Sequence, residues 1–124
     1  MLRKHLETIA AAEVARTLSA LPEPVREAAK GCSIELEWIE RAVPLEAGLV
    51  EDLLGLFEGQ SYEGTEAASG VGDLPRIRLF LDNLWDYAGK DRSAFREEVR
   101  VTLLHELGHF LGLDEGQVED RGLA

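Results

Sequence analysis

Cysteine is almost missing from this chain, and Cys32 stands alone. A single thiol cannot close an internal disulfide, so the fold must rest on a packed core. The usage fits a reducing, cytoplasmic setting. Cys32 itself is expected as a small buried or half-buried thiol rather than a metal ligand. Long apolar runs are absent as well. No stretch approaches the ~20 apolar residues of a membrane span. The basic opening Met1–His5 leads into a segment broken by Glu7, Glu13 and Arg16, which leaves no signal-peptide core. Basic side chains are the minority, 13 against 24 acidic, for a net charge of −11. That balance argues against nucleic acid and anionic membranes as partners. It reads as a solvated acidic surface, with at most a mild bias toward basic substrates. Repeats and low-complexity tracts are absent too.

What is present belongs to one soluble domain over residues 1–124, because 45% apolar and 30% charged residues are globular proportions. Leu2, Leu6, Ile9, Ala10, Val14, Leu18 and Leu21 follow helical spacing, which predicts a helix over residues 2–20. Pro22 and Pro24 end it, and Val25–Lys30 adds a short turn before Gly31. Ser33–Glu40 alternates apolar and polar residues as a strand with one buried face, Trp38 continuing the row of Ile34 and Leu36. A short helix is expected over Leu45–Asp52 and a second strand over Leu53–Gly59. Residues 58–75 hold Gly59, Gly64, Gly70, Gly72 and Pro75 and read as a long loop, either a rim over a cleft or a floppy connection. Arg76–Leu81 is the third strand, and Asp82–Lys90 a turn or short helix with Trp85 and Tyr87. Asp91 or Ser93 caps a helix running to about Leu111, with Phe95, Val99, Thr102, Leu103 and Phe110 on its buried side. Gln117–Leu123 is a short terminal helix. His5 receives no role.

The chemistry is concentrated in His105-Glu106-Leu107-Gly108-His109. On a helix, residues four apart lie on one face, so His105 and His109 can aim their imidazoles at one point, as two ligands of a zinc ion must. Glu106 sits one step round, able to reach a metal-bound water without ligating the metal. Gly112 can take a positive φ, end the helix and reverse the chain. That reversal carries Glu115 back as a candidate third ligand, with Asp114, Glu119 and Asp120 as competitors. Two imidazoles and one carboxylate leave a fourth position for water, the arrangement of a catalytic Zn2+.

The flanks extend the pattern. Leu53–Gly59 (L-L-G-L-F-E-G), Arg76–Phe80 (R-I-R-L-F) and Glu98–Phe110 (E-V-R-V-T-L-L-H-E-L-G-H-F) occur in this order, after a helix followed by Leu21-Pro22-Glu23-Pro24-Val25-Arg26. Together they resemble the small bacterial family of zinc metallopeptidases called minimal zincins, over nearly the whole chain. The resemblance implies a compact α+β zincin-like single domain. A small mixed sheet of three to four strands would pack on an N-terminal helix and on the helix carrying the motif. It also implies that His105, His109 and an acid at the position of Glu115 bind zinc, with Glu106 as general base. Two departures stand out. Metzincins place a third histidine where this chain has Glu115, and they use a methionine turn, whereas the only methionine here is Met1. Members of the family more often carry Asp at the third position, and Glu is one methylene longer.

The expected activity is therefore hydrolysis of a peptide or protein substrate by zinc-activated water. Tyr62, Tyr87 and Arg76 are candidate donors to the oxyanion. Strand 76–81, taken as an edge, is the candidate for holding an extended peptide. The alternatives are a non-catalytic zinc-binding or protein-interaction module on the same fold, and a metal-dependent hydrolase of another small substrate. Oligomeric state is not readable from these features.

Overall fold

The computed structural model describes residues 1–62, 74–113 and 116–117. Among these the elements are α1 (Leu2–Ser19), α2 (Glu23–Ala29), β1 (Ser33–Glu37), α3 (Ile39–Ala42), β2 (Gly55–Glu58), β3 (Arg76–Phe80), α4 (Leu81–Tyr87) and α5 (Arg92–Phe110). The strands form one mixed sheet in the order β1-β3-β2, with β1 parallel and β2 antiparallel to β3. This is the α+β architecture expected, with three strands. No helix among the described residues is long and apolar enough to cross a membrane. Most of the expected loop, residues 63–73, lies outside the described residues, as does most of the expected terminal helix.

Register decides which face of the sheet is apolar. Ile34 and Leu36 of β1 stand beside Ile77 and Leu79 of β3, and these beside Phe57 and Gly55 of β2. Side chains alternate along a strand, so all six positions share one face. Helix α5 covers that face with Phe95, Val99, Leu103, Leu107 and Phe110, and α1 contributes Leu6, Ile9 and Ala10 to the same cluster. The α5 spacing of four, four, four and three is that of one helical stripe. Its start is fixed by Asp91, whose carboxylate accepts the Ala94 N–H at 2.8 Å and satisfies an otherwise orphaned donor. Cys32 is buried as expected, and burial pushes its thiol up to about 11. It therefore stays protonated at neutral pH and is no ready metal ligand.

Several boundaries differ from the sequence expectation, each for a local reason. Pro24 lies within the first turn of α2, where its missing N–H costs no helical bond. The first strand stops at Glu37 because the Asp82 carboxylate accepts the N–H groups of Ile39 (2.9 Å) and Glu40 (3.3 Å), starting α3 there. Residues 45–52 form turns instead of a helix. Gly48 has φ +87°, Leu45 and Val50 are exposed, and the segment is tied down from outside. The Asn83 side-chain amide donates to the carbonyls of Glu51 and Leu53 at 2.8 and 2.7 Å. The largest correction concerns strand 76–81. It is the central strand, paired on both sides, and it ends at Phe80. The edge strand beside α5 is β2.

The opposite face of the sheet is held by charge. Arg78 is 1% exposed at its centre. Its Nε and Nη2 donate to the two oxygens of Glu37 at 2.9 and 2.8 Å, a bidentate pair. Its Nη1 reaches Glu46 at 2.7 Å and Glu58 at 3.3 Å. Arg76 adds an Nε bond to Glu58 at 2.8 Å. One guanidinium thus joins β1, β2 and the 43–54 connection, and the half-buried outer face of β1 follows from it.

Hydrogen bonds from Arg78 hold the Glu46 carboxyl below its usual range. A depressed carboxylate stabilises the fold above its unfolded pKa of about 4.3 and loses that contribution as pH falls through the folded value. Arg78→Met leaves the partly hydrated Glu37 and Glu46 without their partner, while Glu58 keeps Arg76, and should cost about 2–4 kcal/mol in urea unfolding at neutral pH. The difference from wild type should shrink as pH drops from about 5 to about 3. A penalty that is the same at both ends would show that packing, and not charge, is what the substitution removes.

Candidate metal and catalytic site

His105 and His109 lie one turn apart near the C-terminal end of α5, both exposed. Their Nε2 atoms are 3.2 Å apart, with ring planes at 86°. Two nitrogens about 2.0–2.1 Å from a tetrahedral zinc would be separated by about 3.3–3.4 Å. The spacing of the two imidazoles fits that edge of a tetrahedron closely. His105, Glu106 and His109 form a cluster whose candidate ligand atoms all lie within 4.8 Å of one another.

Glu106 differs from its neighbours in burial and in partners. Its side chain is 13% exposed against 57% for His105. Oε1 accepts the backbone N–H of Phe57 at 2.9 Å, across a gap of 49 residues in sequence. Oε2 stands 4.0 Å from His105 Nε2, too far for a hydrogen bond and close enough for one small molecule to lie between. The carboxylate is thus anchored by one oxygen and turned toward the histidines with the other.

The Phe57 donor is available because of ladder parity. Phe80 N–H bonds Leu54 O at 2.9 Å, so in the antiparallel β2–β3 pair the residues 54, 56 and 58 face β3. Gly55 and Phe57 therefore turn their backbone groups away from β3, to the edge where the Glu106 carboxylate meets the Phe57 N–H. The helix packs this close to the β2 face only because residue 55 has no side chain. A Cβ there would stand 2.6 Å from Thr102 Cγ2. Gly55 thus faces Thr102 while Phe57 meets Glu106. Two residues of strand rise about as far as four of helix, so the contacts stay in step. A glycine inside a strand pattern signals close backbone approach. That signal was present at Gly55, but nothing in the sequence paired it with Thr102.

The chain reversal expected at Gly112 is present. Gly112 has φ +70°, its N–H bonds His109 O at 3.0 Å, and Leu113 N–H bonds Gly108 O at 3.0 Å. These two bonds constitute a Schellman motif. Asp114, Glu115, Glu119 and Asp120 lie outside the described residues. The three candidate oxyanion donors separate. Arg76 sits on the far face of the sheet, bound to Glu58, and is withdrawn. Tyr87 is 67% exposed at the end of α4, with no hydrogen bond or ring contact among the described residues. Of the three, Tyr62 alone reaches the histidine-bearing end of α5, its ring edge-on to Phe110 at 5.9 Å. Phe110 also packs on Phe57 at 5.8 Å, which links the aromatic contact to the strand that holds Glu106.

The Gly55 contact is testable by a double-mutant cycle. Gly55→Ala drives a methyl against a stiff β-branched side chain and should destabilise by about 1–3 kcal/mol. Thr102→Ser removes the opposing Cγ2 and should recover at least about 1 kcal/mol of that loss in the double variant. Strict additivity of the two changes in thermal or urea unfolding would mean that the helix does not rest on residue 55.

A family model of zincin-like metallopeptidases matches residues 32–123, from the start of β1 through the whole of α5. No curated protein matches the chain. With most of its length matched, and with His105, Glu106 and His109 within that span, the chain belongs to the zincin-like metallopeptidase family.

Proposed function

We propose that this chain is a zinc-dependent peptidase in which His105, His109 and Glu115 hold the ion and Glu106 is the general base. The observation that carries the reading is the pair of Nε2 atoms 3.2 Å apart beside a carboxylate anchored at one oxygen only. Zinc, when bound, supplies Lewis acidity that lowers the pKa of a coordinated water and polarises the scissile carbonyl. The Phe57 N–H fixes Glu106 so that Oε2 takes the proton of the attacking water and later delivers it to the leaving amine. A structural metal site has no need of an oriented, non-ligating carboxylate in that place. Glu115 is the third ligand on the strength of the Gly112 reversal just before it.

The substrate is a peptide or protein segment in extended form. The outward N–H of Gly55 and the outward carbonyls of Gly55 and Phe57 offer an edge for one added strand, a role transferred here from 76–81 to β2. The Phe57 N–H is already used by Glu106, so the peptide's hydrogen bonds to β2 are incomplete at that point. Tyr62 is the preferred donor to the oxyanion.

Elemental analysis and cleavage of a mixed peptide library separate the parts of this reading. Wild type should hold one zinc. His105→Ala, His109→Ala and Glu115→Ala should lose it, whereas Glu106→Gln should keep it and lose about 10²–10⁴-fold in turnover. If Glu115→Ala keeps its zinc while Asp114→Ala, Glu119→Ala or Asp120→Ala loses it, the third ligand is misassigned. If loaded wild type cleaves no peptide, the peptidase reading fails.

A further inference from the structure

The flank of α5 opposite the histidines is lined by a different chemistry. Arg96 and Arg100 each precede one of the histidines, His105 and His109 respectively, by nine residues. Nine residues is two and a half helical turns, which places the two pairs on opposite sides of the helix. There α5 and α1 enclose a groove of about 680 Å³ lined by Arg16, Arg96 and Arg100 along with Glu13 and Glu97. It meets a second concavity of about 500 Å³, lined by Lys4 and Arg92, at the shared residue Thr8. Five of the chain's 13 basic residues therefore line this seam, against two of its 24 acids.

Both acids are already matched. Arg16 donates to Glu13 at 2.6 Å, and Arg100 is paired with Glu97 one turn away. Lys4, Arg92 and Arg96 are exposed and have no carboxylate partner among the described residues. They cluster where α5 begins, so the positive end of its dipole adds to their field. The chain's overall −11 does not cancel this patch, because exposed charges more than about 8 Å away are largely screened at physiological salt. Lys4 to Arg16 spans about 18 Å of helix, long for a single small anion and suited to a segment of chain. Leu2 at one end, half exposed, provides apolar contact beside the cations, and the largely buried Ile9 forms part of the floor.

We infer that the α1–α5 seam is a docking groove for an acidic, amphipathic segment of a partner protein. Its carboxylates meet Lys4, Arg92 and Arg96, and its apolar side chains meet Leu2 and Ile9. Charge complementarity selects this occupant. The groove is separate from the β2 edge, so it holds a partner without covering the histidines.

The test uses the whole chain with a chelator in excess, which keeps it independent of the peptidase reading. Fluorescence anisotropy would follow a labelled peptide of about 15 residues built from Glu and Leu with Leu at helical spacing. Two control peptides replace every Glu with Gln or with Lys. The acidic peptide should bind at least about tenfold more tightly than either control and weaken as salt rises from about 50 to about 200 mM. The double variant Arg92→Glu, Arg96→Glu should lose at least about tenfold with unchanged circular dichroism. Arg41→Glu, an exposed charge reversal on α3, should stay within about twofold. Equal binding of the acidic and Gln peptides, or equal loss in Arg41→Glu, overturns the proposal. So does an Arg96-dependent dimer in sedimentation with no peptide bound, which would make the occupant a second copy of the chain.

Discussion

The close approach of α5 to the apolar face of β2 is the constraint on which the site depends. Residue 55 can carry no side chain, since a Cβ there would fall 2.6 Å from Thr102. One turn further along the helix, the same approach brings Glu106 within 2.9 Å of the Phe57 N–H. An unpaired N–H at a sheet edge is a liability in general. Here it is satisfied by a carboxylate, and that carboxylate is held in one orientation. The same bond therefore closes part of an edge and positions the proposed general base.

The charged face of the sheet supports that arrangement from behind. Arg78 reaches Glu37 on β1, Glu58 on β2 and Glu46 in the connection between α3 and β2. Removing these charges from water is unfavourable, and they are retained because nearly every donor of the guanidinium is used. Its effect is positional. Among the described residues strand β2 has only one strand neighbour, so Arg78 and Asn83 fix the path by which the chain enters it.

Helix α5 serves three surroundings at once, and its 3.6-residue period keeps them apart. Phe95, Val99, Leu103 and Leu107 point into the core, His105 and His109 line the β2 side, and Arg96 and Arg100 line the α1 side. A rigid core stripe fixes the rotation of the helix, so the two polar flanks cannot drift. This is why a small α+β unit can present the candidate metal site and a separate charged groove on one element.

Local features of the chain were legible in order. The α5 stripe, the Asp91 cap, the Gly112 reversal and the i, i+4 histidines all depend on contacts within a few residues, which spacing encodes directly. The resemblance to minimal zincins rested on short stretches too, Leu53–Gly59, Arg76–Phe80 and Glu98–Phe110 in that order after the Leu21–Arg26 opening. Tertiary structure decided what spacing cannot reach. That β3 is central and β2 the edge follows from pairing between distant segments, and both strands read alike as short apolar runs. Arg76 looked available for an oxyanion until register placed it on the far face. The Phe57 N–H is invisible in a sequence because every residue but proline has one, and only ladder parity says which way it points. The residue types at the site were determined by the sequence alone, because a ligand's chemistry belongs to its side chain. Orientation and partners were decided only by the fold, because they depend on which strangers in sequence become neighbours.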